Sequence, residues 1–196
     1  MLIDLDNVQT PFQVDSNNLS ALHFRAYHCT RAFPEDIKLH GLQCFNLEGR
    51  LNYVRSKLIH NGISSTLIAE YFIEVRKYLT PMQLRGRENN VCFCLNKELI
   101  ECGGGCESLF KYFGAEAVYI VAESSERFPE IKAALETIGT PLLITASIGL
   151  KTASEYQKRN VLNFLSGQSK EKCEVFIKEH VASQNILSAE RHNLKV

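Results

Sequence analysis

The alternation of apolar and polar side chains over residues 21–30 constrains the fold more than any other feature of this chain. Alternation with a period of two is typical of a half-buried strand. A short helix is predicted directly after it, since Pro34 and Glu35 suit a first helical turn and Gly41 suits a helix end. The early part of the chain therefore predicts a strand, a helical turn and a glycine stop in close succession.

The rest of the chain predicts an irregular order of helices and strands. The predicted helices cover 47–61, 63–80, 109–113, 131–138 and 172–180, the predicted strands cover 91–95, 115–121 and 141–148, and 85–90 is a loop. This order favours an α+β fold over regular βαβ alternation. We expect a single domain over 1–196, with an N-terminal arm (1–20), a core (21–150) and a C-terminal helical extension (151–196).

Composition narrows the class of protein. The chain has 196 residues, 45% of them hydrophobic, which is enough for one sizeable core. Its 22 basic and 22 acidic residues balance, so binding to nucleic acid would depend on a local groove rather than on overall charge. The acidic start is unlike a secretory signal and no apolar run is of membrane-spanning length, so we expect a cytoplasmic protein without a membrane partner. An odd count of seven cysteines favours reduced thiols.

His28 and Thr30 are the first candidate site residues. Side chains two apart on a strand share a face, so this imidazole and this hydroxyl would lie side by side. Both groups can donate and accept hydrogen bonds, which suits a ribose diol or a carboxamide. Such a pair also occurs in ordinary sheets, but the Ile37 and Gly41-Leu42 spacing that follows favours a binding role.

The run Tyr27-His28-Cys29-Thr30, with Gly41-Leu42 downstream, resembles the first strand and helix of the ADP-ribosyltransferase fold, where a YHxT…GL pattern opens the NAD pocket. The resemblance implies two antiparallel sheets packed around an NAD cleft, with flanking helices. It implies that NAD is consumed as a substrate, that His28 takes part in catalysis and that no metal is needed. The residues that it implies for NAD binding are His28, Cys29, Thr30 and Arg31, the last near the diphosphate or the adenylate half.

A second fragment, Gly114-Ala115-Glu116-Ala117-Val118-Tyr119-Ile120, resembles the strand that carries the catalytic glutamate of that family. A carboxylate that enters a buried strand needs a partner or a function. Cleavage of the glycosidic bond of NAD creates positive charge on the ribose, which Glu116 would stabilise while accepting a proton from the incoming nucleophile. The other interpretation is an exposed glutamate paired with a lysine.

The resemblance also bears on the acceptor of the ADP-ribose. The loop 101–107 contains three consecutive glycines and matches the place where this family recognises its target. Gly114 stands two residues before Glu116, where many protein-modifying relatives have a polar or acidic residue. A nucleic-acid acceptor, RNA or DNA, is therefore slightly favoured over a protein. Small relatives often act as toxins in toxin–antitoxin or phage-defence systems, which implies an antitoxin protein as a partner.

Two other functions remain open at this point. Asp4 and Asp6 share a strand face and resemble the opening of haloacid-dehalogenase-type phosphatases or PIN/NYN-type nucleases, in which they would bind Mg²⁺. Alternatively, the chain is a non-catalytic interaction module of the same fold that binds a partner through 47–80 or its tail. The cysteines at 92, 94, 102 and 106 lack the usual spacing of zinc knuckles, so we expect them to be inert thiols.

Overall fold

All six strands of the described residues belong to one sheet. The computed structural model describes residues 1–14, 18–101 and 106–193, except for the side chain of Met82. The strands are β1 (Leu2–Ile3), β2 (His23–Ala32), β3 (Val91–Cys94), β4 (Thr140–Gly149), β5 (Glu174–Ile177) and β6 (Ile186–Arg191). The order in the sheet is β5-β3-β2-β4-β6, all antiparallel, and β1 runs parallel to the start of β2.

Helices of varied length accompany this sheet, so the predicted α+β class is confirmed. They are α1 (Pro34–His40), α2 (Leu47–His60), α3 (Ser65–Tyr78), α4 (Pro81–Arg87), α5 (Glu98–Glu101), α6 (Cys106–Lys111), α7 (Glu116–Ser124), α8 (Pro129–Thr137) and α9 (Glu155–Leu165). The described residues do not form the expected pair of sheets, because β1 to β6 are joined into a single sheet.

Two large apolar clusters hold the fold together. The first lies on one face of the sheet, where Phe24 and Ile144 pack with Val161 of α9. The second is formed by α2, α3, α7 and α8, with residues such as Val54, Phe72 and Val118 fully buried. A smaller cluster of Tyr27, Cys29, Ile100, Cys106 and Phe110 covers the other face of β2. Burial of this apolar area is the main stabilising contribution.

The predicted strand at 115–121 is wrong, because Glu116–Ser124 form helix α7. Its buried residues Val118, Val121 and Ala122 recur at the three- and four-residue spacing of a helix face. A short apolar run fits a buried helix as well as a buried strand, so the sequence pattern could not separate them.

The terminal segments also differ from their predictions. The predicted helix at 172–180 contains strand β5 instead, with Val175 and Ile177 buried and Glu174 exposed in strict alternation. The C-terminal extension is thus only partly helical, since β5 and β6 complete the sheet on its two sides. The N-terminal arm contributes β1, and its Ile3 and Leu5 belong to the core.

The predicted loop at 85–90 is helical over its first part, because α4 extends to Arg87. A capping box starts this helix: the Thr80 hydroxyl accepts from the backbone N–H of Gln83, and the Gln83 side chain accepts from the N–H of Thr80. Pro81 occupies the first turn, which suits a residue without an N–H.

Candidate functional site

A cavity of about 1110 Å³ lies where the sheet divides between β2 and β3. Only Tyr27 of β2 pairs with β3, opposite Cys94. Beyond this pair, residues 28–32 of β2 remain bonded to β4 on their other side, and no described strand covers the edge that faces the cavity. Ligand pockets typically measure about 300–1,000 Å³, so this cavity has room for a ligand of dinucleotide size.

His28 lies on the cavity wall and is held by the neighbouring strand. Its Nδ1 is 2.8 Å from the carbonyl oxygen of Cys92, and its ring lies 5.7 Å from that of Phe93. Because a carbonyl only accepts, Nδ1 carries the proton, and Nε2 of the neutral ring is left as an acceptor. Desolvation by the surrounding protein lowers the pKa of His28, and the nearby charge of Arg50 lowers it further.

Thr30 and Cys29 also line the cavity. Thr30 is half-buried on the same face of β2 as His28, as the spacing predicts. The Cys29 thiol lies on the opposite face, in the small cluster with Cys106 and with Cys94 beside it. The neighbouring S–H groups of Cys29 and Cys94 stabilise a thiolate at Cys106, which lowers the pKa of Cys106.

Arg31 does not belong to the cavity lining. Its Nε donates to the carbonyl oxygen of Ile138 at 2.8 Å, and a terminal nitrogen donates to that of Phe110 at 3.3 Å. Burial lowers the pKa of Arg31, and the nearby charge of Arg191 lowers it further while that of Glu136 opposes the shift. The guanidinium therefore joins β2 to the ends of α6 and α8, and the structure does not bring it to His28.

Glu116 faces the same cavity as His28 and Thr30. It is the first residue of α7, and a sharp turn with positive φ at Gly114 (105°) and Ala115 (71°) precedes it. A positive φ is uncommon for alanine and is often found at functional sites. Both carboxylate oxygens accept from Arg87 of α4, at 2.6 and 3.1 Å. The glutamate is thus paired, with an arginine rather than a lysine.

The sequence reasoning missed three cavity residues on α1 and α2. The Tyr53 hydroxyl donates to the carboxylate of Asp36, and burial raises the pKa of Tyr53. Arg50 lies one helical turn before Tyr53 and also lines the cavity. The signal that could have identified Arg50 and Tyr53 is spacing, since residues three apart on a helix share a face, whereas no local signal relates Asp36 to them.

The other candidates lie elsewhere or outside the described residues. The glycines of the expected target loop (103–105) are not described, while Cys106 at its end lines the cavity. Asp4 forms an ion pair with Arg25 at 3.1 Å, and both Asp6 oxygens accept from the backbone N–H of Lys97 at 3.0 Å. Within the described part of the chain, no group of three His, Cys, Asp or Glu side chains is arranged to hold a metal ion.

Comparison with known proteins gives no match to this chain, either among protein-family models, among curated proteins or among solved structures. Of the helices within the described residues, none combines the length and the apolar character that crossing a membrane requires. The geometry of the cavity is therefore the basis for a functional proposal.

Proposed function

We propose that the chain is an NAD-dependent ADP-ribosyltransferase with its active site in the cavity between β2 and β3. The observation that carries the proposal is that His28, Thr30 and Glu116, which come from two distant sequence fragments, line one cavity. The size of the cavity and the polar groups at its wall suit a dinucleotide.

The free edge of β2 supports a site for the nicotinamide end. Every second residue of 28–32 has its backbone N–H and C=O groups at the edge opposite β4, which has no partner strand among the described residues. A carboxamide has the complementary donor and acceptor, so it can pair with such an edge as a neighbouring strand would. In this proposal, Nε2 of His28 and the Thr30 hydroxyl bind ribose hydroxyls, which is supported by the presence of both residues in the cavity lining.

Glu116 provides the negative charge that the reaction requires. As the bond between the ribose C1′ and the nicotinamide nitrogen breaks, positive charge develops on the ribose, and a carboxylate stabilises it. The acceptor nucleophile then bonds to C1′, nicotinamide leaves, and the nucleophile's proton passes to Glu116 or to solvent. Arg87 orients the carboxylate through the bidentate pair.

The acceptor in this proposal is a macromolecule, with RNA or DNA slightly favoured over protein. A local groove suffices for such a substrate in a chain of balanced charge, because the modified base only has to reach the cavity as a single strand or an extruded nucleotide. A role as a toxin or defence effector, with an antitoxin that covers the cavity, follows from the same proposal.

The test is incubation with labelled NAD and separate pools of protein, DNA and RNA, together with an assay of released nicotinamide. We expect label in one pool, and Glu116→Gln should reduce its incorporation by at least about 100-fold. Glu126→Gln is the matched control, because Glu126 is an exposed acid just after the same helix and does not line the cavity. Absence of both label and nicotinamide release from the wild type with every pool would refute the proposal.

A further inference from the structure

One face of α2 forms a wall of the cavity. Its N-cap Asn46 and then Gly49, Arg50 and Tyr53 line the cavity at intervals of three and four residues. The opposite face is packed in the helical core through Leu47, Leu51, Val54 and Leu58. Core packing on one side therefore fixes the helix so that Arg50 is held against the cavity rather than out in solvent.

Two charged residues of the cavity lining, Arg50 and Glu174, have no side-chain partner among the described residues, and Arg50 is the only cation of the two. Arg87 pairs with Glu116, and Asp36 accepts from the Tyr53 hydroxyl. The guanidinium of Arg50 makes no hydrogen bond or ion pair with any residue in the described part of the chain. It is half-buried, and the desolvation of its guanidinium lowers its pKa. A desolvated and unpaired cation is costly for the fold, which makes it a candidate for binding an anion.

The surroundings of Arg50 favour a phosphate group as that anion. Arg50 and His28 line the same cavity, and the charge of Arg50 contributes to lowering the pKa of His28. A guanidinium presents a fixed fork of donors that matches two phosphate oxygens. A nucleotide carries both a phosphate for this fork and a sugar for the polar wall of β2.

We propose that Arg50 is a binding residue for a phosphate group of the nucleotide ligand, and that the ligand class is a nucleoside diphosphate or a dinucleotide. The more specific statement, that Arg50 binds the diphosphate of NAD, rests on the proposed function. This assigns to α2 the role that the sequence resemblance gave to Arg31, whose guanidinium is bound by two backbone carbonyls.

The experiment is isothermal titration of the whole chain with adenosine, ADP, ADP-ribose and NAD. Wild type should bind ADP and ADP-ribose more tightly than adenosine. Arg50→Gln should weaken the binding of the phosphate-bearing ligands by at least about tenfold and leave adenosine unchanged. Arg50→Lys keeps the charge but loses the fork of donors, so its affinity for the phosphate-bearing ligands should lie between those of the wild type and Arg50→Gln. Arg55→Gln is the control, since Arg55 is an exposed arginine of the same helix.

Two outcomes would overturn the inference: equal affinity of wild type and Arg50→Gln for ADP, or no affinity of the wild type for any phosphate-bearing ligand. The result is separable from that of the proposed function. ADP binding that depends on Arg50, without nicotinamide release, would support the phosphate site and refute the transferase. NAD turnover with an unchanged KM in Arg50→Gln would support the transferase and refute the phosphate site.

Discussion

Substitution of Gly41 by alanine is expected to destabilise the wall of the cavity. Gly41 ends α1 with φ 67° and ψ −153°, a combination that is essentially restricted to glycine. A Cβ at this position would lie 2.0 Å from the carbonyl oxygen of Val181. This oxygen accepts from the N–H of Leu42, and the N–H of Val181 donates back to Leu42, both at 2.9 Å. The added methyl group therefore requires the two segments to separate.

The magnitude follows from these contacts. The backbone conformation costs an alanine about 1–3 kcal/mol, and each of the two hydrogen bonds contributes about 1 kcal/mol. We therefore expect Gly41→Ala to reduce the free energy of unfolding by about 3–5 kcal/mol. For a chain of this size, the melting temperature should fall by about 10 °C.

Gly62→Ala is the matched control for this prediction. Gly62 also has a positive φ, 81°, but a Cβ there has no neighbouring atom within 4 Å. Its cost should be limited to the backbone term, about 1 kcal/mol. Urea unfolding followed by far-UV circular dichroism measures both variants, since the chain has no tryptophan. Equal losses of stability in the two variants would show that the approach of Val181 to Gly41 is not the constraint.

Three further predictions concern the cavity. Burial lowers the pKa of His28 below 6.5, so the unfolded chain takes up a proton at this residue at a higher pH than the folded chain does. The free energy of unfolding should therefore be constant above about pH 6.5 and decrease below it. In His28→Gln, the urea concentration at the midpoint of unfolding should change less between about pH 5 and pH 7. Because adjacent thiols lower the pKa of Cys106, iodoacetamide should label it ahead of those thiols, and equal labelling in peptide maps would contradict this. Arg87→Gln should lower the free energy of unfolding by less than about 1 kcal/mol, since the ion pair with Glu116 is partly exposed. The same variant should release nicotinamide more slowly, because Glu116 loses the partner that orients it.

Local signals explain which elements the sequence predicted well. Strand β2 was recognisable because apolar and polar residues alternate over most of its length, with Phe24, Ala26 and Cys29 buried. The end of α1 at Gly41 and the start of α3 at Ser64 were also recognisable, since each has a residue type with a direct physical role. Gly41 adopts a positive φ, and the Ser64 hydroxyl accepts from the N–H of Leu67.

The elements that were mispredicted depend on tertiary contacts. The tail at 174–177 alternates over only four residues, and its strand is defined by pairing with β3, a partner far away in the sequence. The residues of the candidate site likewise include some that local sequence signals identify and others that only tertiary contacts identify. The sequence placed His28 and Thr30 on one face correctly, but only the packing of α2 shows that Arg50 reaches the same cavity and that Arg31 does not.

Glu116 lies at the start of a helix, which removes the strand on which the resemblance for this residue was based, so its proposed role rests on its position at the cavity. A carboxylate at the first residue of a helix is favoured by the partial positive charge of the N-terminal peptide groups, so it needs no burial in a sheet to be held in place. The bidentate pair with Arg87 engages both oxygens, which at first sight competes with a ligand. A carboxylate has about four lone-pair directions, however, and Arg87 uses two of them. Glu116 can therefore accept from a ribose diol while Arg87 keeps it oriented, and the ion pair is compatible with catalysis.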